Sequence, residues 1–250
     1  MDYWVAIASL AIRPQKIKVM KAFNLQFFQE QGYCIVDDVF TPVQCDELIA
    51  SSQSFPSFKD DTLIPVMNPH NLNEQFFQAM RCSKIIEMME VVLSGKVSGL
   101  QSQFFFCRPG TRGFTRHQDN HYVRAKAGAF GSAWMALDDV TPQNGGLIVF
   151  PGSHREPILP TEAVPQVETF GQDPNANCRQ VSMPTKYSSI DLSLPRGSMV
   201  LIHGHIIHAS HTNSTKDQFR RVLLLTFIRK GETFRSGFSA KRREIALSPQ

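Results

Sequence analysis

Apolar positions along the chain follow helical spacing early and strand spacing later. Residues 25–32, with Leu25, Phe27 and Phe28 before Gly32, predict a short helix, and the apolar run 33–36 predicts a strand. A second helix is expected over 41–49, entered through Thr41 as N-cap with Pro42 at the first helical position, where its missing N–H costs nothing. Ile85, Ile86, Met89, Val92 and Leu93 fall at helical intervals and predict a third helix over 83–93 that braces a sheet. After Lys96 the pattern becomes strand, turn, strand: 97–107 closed by Pro109-Gly110, 132–140 closed by residues 142–146, and 147–150 closed by Pro151-Gly152. Residues 155–194 carry several prolines and little periodicity, as a long functional loop or lid does. Strands return at 198–203 and 220–228. Helices feeding a set of short strands imply an α+β domain whose sheets close into a sandwich or barrel. No internal repeat, low-complexity tract or second domain is evident.

Composition narrows the class. With 250 residues, 42% of them apolar, the chain can bury a sizeable core and is too apolar for disorder. The net charge of +4 falls short of the basic stripe of a nucleic-acid binder, so no nucleic-acid partner is expected, while a small anionic molecule is compatible. The five cysteines form no CxxC pair, which argues against a disulfide framework or zinc knuckle and points to a reducing, cytoplasmic setting. The apolar opening, residues 3–12, is too short to span a bilayer and lacks preceding basic residues, so neither stable membrane insertion nor a signal peptide is expected.

The chemistry concentrates in two places. Four of the eight histidines lie between His203 and His211, and two more flank an aspartate in His117-Gln118-Asp119-Asn120-His121. In extended backbone, residues two apart share a face, so His117 and Asp119 can offer one nitrogen and one oxygen to a single ion, with a histidine from a distant strand completing the set. Two histidines and a carboxylate on one face of an octahedral ion leave the other positions open, which is the arrangement of non-haem iron(II) oxygenases. A lone His-x-Asp is more often a surface turn pair; the second histidine cluster changes that balance. Asp138 and Asp139, adjacent on a strand, face opposite ways and read as turn residues rather than an acid–base pair. His154 reads as structural, and the 104–106 phenylalanines read mainly as sheet core, with Gln103 or Phe105 available to face a pocket.

Further motifs follow in order: Ala133-Trp-Met-Ala-Leu-Asp-Asp139, Asn144-Gly-Gly-Leu-Ile-Val-Phe-Pro-Gly-Ser-His154, and His208-Ala-Ser210 with Asn213 and Phe219-Arg220. Together with the 117–122 segment, they make residues 105–228 resemble the phytanoyl-CoA dioxygenase family of iron(II) and 2-oxoglutarate dependent oxygenases. The resemblance implies a double-stranded β-helix, or jelly-roll, core of two packed antiparallel sheets over 25–235, braced by N-terminal helices, with 1–24 as a tail or helix and 236–250 as a C-terminal tail. It implies Fe(II) held by His117, Asp119 and His208, with His205 the runner-up and His203 and His211 supporting or exposed. It places Arg220 on the distal carboxylate of 2-oxoglutarate, a task suited to a planar guanidinium, with Ser210 and Trp134 lining that cosubstrate and Arg221 on the opposite face. Asn120, Tyr122, Arg108 and Arg124 are candidates for a polar or anionic substrate, beside Gln103 and Phe105.

The implied reaction uses O2 to hydroxylate an unactivated C–H bond of a small molecule while 2-oxoglutarate becomes succinate. Related halogenases carry a small residue in place of the carboxylate ligand, so Asp119 implies hydroxylation, desaturation or ring formation. Two competing readings are a noncatalytic binding or sensing protein on the same fold and a zinc hydrolase using the same triad. The intact ligands and Arg220 disfavour the first, and the Arg220 and Ser210 pattern disfavours the second. Substrate identity and oligomeric state are not legible.

Overall fold

The computed structural model describes residues 23–61, 63–164 and 179–247. The segment 1–22 and the central part 165–178 of the long proline-containing stretch lie outside the described residues.

Local signals place the first elements where the pattern expects them. Helix α1 (Leu25–Gln31) starts where the Asn24 side chain accepts from Phe27 N and ends at Gly32, whose φ of +84° suits glycine. A Cβ there would also lie 2.6 Å from His154 Nδ1, so no larger residue fits beside that ring. Strand β1 (Tyr33–Val36) follows. Helix α2 (Pro42–Ser52) opens with a full capping box: Gln44 N donates to Thr41 Oγ1 at 3.3 Å and Thr41 N to Gln44 Oε1 at 2.9 Å. After the one-turn α3 (Pro56–Lys59) and β2 (Val66–Met67), α4 (Glu74–Met80) is a helix the hydropathy reading does not predict. It is capped by Asn73 and buries Phe76, Ala79 and Met80, a seven-residue element too short for two turns of periodicity to stand out. Helix α5 (Ser83–Val92) buries Ile85, Met88 and Met89.

The remaining elements are β3 (Val97–Phe105), the single turn α6 (Asn120–Val123), β4 (Phe130–Ala136), β5 (Leu147–Val149), β6 (Thr161–Ala163), β7 (Arg179–Val181), β8 (Ile190–Asp191), β9 (Met199–His203), β10 (His208–Ser210) and β11 (Val222–Arg229). A six-stranded sheet runs β1-β9-β4-β11-β3-β2 and a three-stranded sheet runs β10-β5-β8, with antiparallel pairing throughout. This is the jelly-roll core expected of an α+β domain. The 155–194 stretch, read as a long loop or lid with little periodicity, holds short strands in its described part: β6 pairs with β7, and β8 joins β5. Strands of two or three residues are too short for alternation to reveal.

Strand alternation sorts side chains into two cores. Ala133, Met135, Met199, Leu201, Leu223, Leu225, Phe227 and Phe104 face the helices, where Phe104 stacks edge-on to Phe76 with centroids 5.5 Å apart. Their alternates Phe105, Trp134, Ala136, Val200, Ile202 and Val222 face the gap between the sheets. Each fully buried phenylalanine contributes about 1.5–3 kcal/mol of transfer free energy, so the helix-facing core supplies rigidity and leaves the inter-sheet face to carry polar groups. Residues after 235, expected as a tail, return in their described part to the large sheet, where Ile245 bridges Gly99 and Arg81 Nε donates to Leu247 O at 3.0 Å. Among the described residues no helix is long and apolar enough to cross a membrane, and Cys34, Cys45 and Cys82 are free thiols.

Candidate functional site

His117 and His208 meet across the mouth of the sandwich. Their main chains form an isolated antiparallel bridge, with His117 N donating to His208 O at 2.9 Å and His208 N to His117 O at 3.0 Å. The rings lie 4.2 Å apart between centroids. Asp119 joins them, though not by the strand alternation that the sequence suggests. Its φ and ψ of −55° and −38° are helical, because the chain turns into α6 directly after the bridge. Asp119 Oδ1 lies 3.6 Å from His117 Nε2 and 3.7 Å from His208 Nε2, and the three ligand atoms all fall within 4.8 Å of one another. A first-row ion with donors at about 2.1 Å holds neighbouring donors roughly 3 Å apart, so small side-chain rotations close this set around one ion.

The neighbours of the triad fix its donor atoms. His117 Nδ1 lies 2.7 Å from Thr115 O and His208 Nδ1 lies 3.2 Å from Ile206 O; in each pair the ring N–H donates, which leaves the Nε2 lone pair turned to the centre. Burial, and after it the adjacent His208, pushes the His117 pKa down to about 4 against the pull of Asp119 and the Thr115 carbonyl. His117 is therefore neutral at pH 7, as a metal ligand must be. Ser132, fully buried on β4, donates to Asp119 Oδ2 at 3.0 Å and leaves Oδ1 to face the imidazoles. Sequence reading passed over Ser132, although it stands two residues before Trp134 and so on the same strand face.

Beside the triad lies a cavity of about 80 Å³ whose walls include Gln103, Phe105, Trp134, Ser210 and Arg220. Arg220 is only 3% exposed, and among the described residues no acidic group pairs with it. Its Nε is buried without a hydrogen-bond partner, and its guanidinium carbon sits 5.6 Å from the centroid of the Trp134 ring. An unpaired buried guanidinium is costly, and a carboxylate in this cavity is the chemical complement that relieves it. Gly145 lies beside the guanidinium at φ +100°, where a Cβ would meet His211 O at 3.3 Å and Arg220 Nε at an ordinary contact of 3.5 Å. The neighbouring Arg221 faces away and clasps Asp138 through two bonds of 2.8 and 2.6 Å, while Asp139 accepts from Arg196 N, so both aspartates are structural. Ser210 Oγ accepts from Phe114 N at 2.9 Å, and Gln103 Nε2 reaches Met67 Sδ at 3.2 Å.

Four sequence candidates for substrate contact, Asn120, Tyr122, Arg108 and Arg124, do not line the cavity. Asn120 is 2% exposed and its amide is consumed by Ala125 and by His205, while Tyr122, on the outer side of α6, is 44% exposed and stands outside the cavity walls. The other histidines are engaged elsewhere: His205 with Asn120 and the Glu156 carbonyl, His211 with Asp191 at 2.9 Å, and His154 with the Gln29 carbonyl. His203 accepts from His205 N. Phe114, Leu147, Ile202, Ala209 and Leu224 also line the cavity without having been singled out; apolar wall residues carry the same sequence signal as core.

Residues 28–222 match the family model described as phytanoyl-CoA dioxygenase (PhyH). A phytanoyl-CoA dioxygenase domain-containing protein 1 of Danio rerio is 33% identical over 132 residues, 49% of this chain and 42% of the relative. Phytanoyl-CoA dioxygenase 1 of Oryza sativa subsp. japonica is 30% identical over 115 residues, 46% and 39%. The chain thus spans about two fifths of the length of these relatives. Among solved structures, the epimerase SnoN in complex with Fe3+, alpha ketoglutarate and nogalamycin RO superimposes with a TM-score of 0.70 at 15% identity, covering 89% of this chain and 88% of that one. EvdO2 from Micromonospora carbonacea var. aurantiaca, complexed with 2-oxoglutarate, gives 0.69 at 18%, covering 90% and 93%. At these identities the likeness is one of fold.

Proposed function

Because this chain belongs to the phytanoyl-CoA dioxygenase family, we propose that it is a non-haem iron(II) and 2-oxoglutarate dependent oxygenase that hydroxylates an unactivated C–H bond of a small molecule. In the balanced reaction, substrate, O2 and 2-oxoglutarate give hydroxylated substrate, succinate and CO2. The observation that carries the reading is Arg220: a buried guanidinium without an acidic partner among the described residues, on the wall of the same cavity as a two-histidine, one-carboxylate triad. A dicarboxylate cosubstrate bound at the triad would place its second carboxylate within this cavity, opposite that cation. That SnoN and EvdO2 are named as complexes with alpha ketoglutarate or 2-oxoglutarate supports the same choice of cosubstrate.

His117, Asp119 and His208 would hold iron(II), which when bound with 2-oxoglutarate supplies the activation of dioxygen. The chain's own contribution is placement. Thr115 and Ile206 hold the two ligating rings by their Nδ1 protons, and Ser132 turns one carboxylate oxygen of Asp119 inward. Arg220 binds the distal carboxylate, with Trp134 against its guanidinium and Ser210 on the same wall. Pockets for whole small molecules commonly span roughly 300–1,000 Å³, so the cavity of about 80 Å³ takes the cosubstrate and the part of the substrate nearest the metal, with Gln103 and Phe105 on its wall as the residues proposed to meet that substrate.

The test is succinate formation from 2-oxoglutarate with iron(II) and a panel of candidate substrates, alongside 2-oxoglutarate binding to Arg220→Ala. Truncating one partner of a buried charge pair costs about 2–5 kcal/mol, so affinity should fall at least about 30-fold. Unchanged affinity in the folded variant refutes the assignment.

A further inference from the structure

Gln118, between two of the candidate ligands, has no role in the site as described above. Its side chain is fully buried, and a buried carboxamide is costly unless its donors and acceptor are bonded. Gln118 meets that requirement entirely through main-chain groups of two distant segments. Nε2 donates to His205 O at 2.8 Å and to Pro157 O at 3.0 Å, and Oε1 accepts from Leu159 N at 2.9 Å. One partner segment runs on to His208. The other begins the 155–194 stretch.

The geometry gives these bonds a mechanical meaning. The two main-chain bonds of the His117–His208 bridge fasten the ligand segments at one point. Asp119 lies beyond that point, where the backbone has left the extended form, so the segment can pivot about the bridge unless something beyond it is tied down. Asn120, on the far side of Asp119, adds a second tie: its N donates to Gly204 O at 2.8 Å and its Nδ2 reaches His205 Nε2 at 2.8 Å. His205 Nδ1 donates in turn to Glu156 O at 3.2 Å, which leaves Nε2 as the acceptor for Asn120. Residue 205 is thus joined to both flanks of Asp119 and to the root of the long stretch.

We propose that Gln118 is a positioning residue for the metal centre, locking residues 117–119 against the segment that bears His208 and fastening the root of the 155–194 stretch to the same unit. This rests on reading the triad as a metal centre. The test is a titration of the full chain with Co(II) alone, for the parent, Gln118→Met and Gln118→Glu, with thermal unfolding in parallel. Methionine fills a similar volume without polar groups; glutamate keeps the acceptor for Leu159 N but turns a carboxylate oxygen on two carbonyls. Both variants should bind Co(II) at least about tenfold more weakly, the range for residues that orient ligands. At saturation their visible absorption should differ from the parent's, and both should be cleaved faster by protease in residues 155–164. If Gln118→Met is not recovered folded, Gln118→Glu carries the comparison. Co(II) affinity and spectrum unchanged in a folded variant, even with a lowered melting temperature, overturn the proposal and leave the metal-centre reading standing. A parent that takes up no Co(II) overturns both.

Discussion

Replacing Ser132 by alanine removes one hydroxyl and is expected to weaken metal binding while leaving the fold intact. Ser132 is fully buried, and its hydroxyl donates to Asp119 Oδ2 at 3.0 Å. With Oδ2 held, Oδ1 stays 3.6 and 3.7 Å from the two imidazole nitrogens. Without the bond the carboxylate is free to rotate about its terminal torsion, and an incoming ion must order it. A hydrogen bond to a charged group contributes about 1.5–3 kcal/mol. At about 1.4 kcal/mol per decade this corresponds to roughly 10- to 100-fold in affinity. The assay is calorimetric titration with Mn(II), which is redox-silent under these conditions. Thr226→Val is the control: Thr226 stands opposite Ser132 in the β4–β11 register, and its hydroxyl bonds Gln101 O instead of a ligand. If Ser132→Ala binds Mn(II) within twofold of the parent, or if Thr226→Val loses as much, the argument that Ser132 orients Asp119 fails.

Asp119→Ala and His208→Ala should each abolish stoichiometric uptake of Mn(II); retention of tight binding by either variant removes that residue from the ligand set. Gly145→Ala forces a side chain into backbone at φ +100° beside Arg220 and should destabilise the fold by about 1–3 kcal/mol, read by urea denaturation, where an unchanged midpoint contradicts the strain argument. Burial, reinforced by His154 and His205, holds the His203 pKa at about 3, and burial beside Arg243 holds that of His70 at about 4. Unfolded imidazoles protonate near pH 6.5, so between 6.5 and these values the unfolded chain binds more protons. Stability therefore falls as pH falls through that window, by up to about 1.4 kcal/mol per unit for each histidine. Melting temperatures from pH 7 to pH 4 should decline, and His203→Phe should flatten the slope; an identical slope assigns the acid sensitivity elsewhere.

A sandwich or barrel of strands was legible because apolar runs such as 132–140 and 220–228 are bounded by turn residues, and the jelly-roll followed from the family resemblance. Which face each residue takes was not legible, since both faces of these strands are buried, with Met135 and Leu223 in one core and Trp134 and Val222 in the other. The triad was legible through the same resemblance, since His117, Asp119 and His208 stand in its motifs. Their geometry was less so. Asp119 reaches the centre through a helical turn that no alternation predicts. Ser132 and Gln118 were passed over because a buried hydroxyl or amide looks like any polar strand or turn residue until its partners are known. Asn120 was misplaced for the same reason: a polar side chain beside a ligand is as able to hold the backbone as to meet a substrate, and here Ala125 and His205 consume it. Strands β6, β7 and β8 left no trace because two or three residues cannot display a period.

The clasp between Arg221 and Asp138 bears on how the molecule tells two adjacent guanidiniums apart. In a strand, slipping by one position sends each side chain to the opposite face, and such an error would deliver Arg221 to the cavity in place of Arg220 with no change of charge there. What distinguishes the two outcomes is remote from the cavity: only the correct alignment gives Asp138 its two-pronged partner and the Arg221 main-chain N–H. Asp138 therefore favours the alignment in which Arg220 lines the cavity, and the choice between the two guanidiniums is made on the far side of the strand from that cavity.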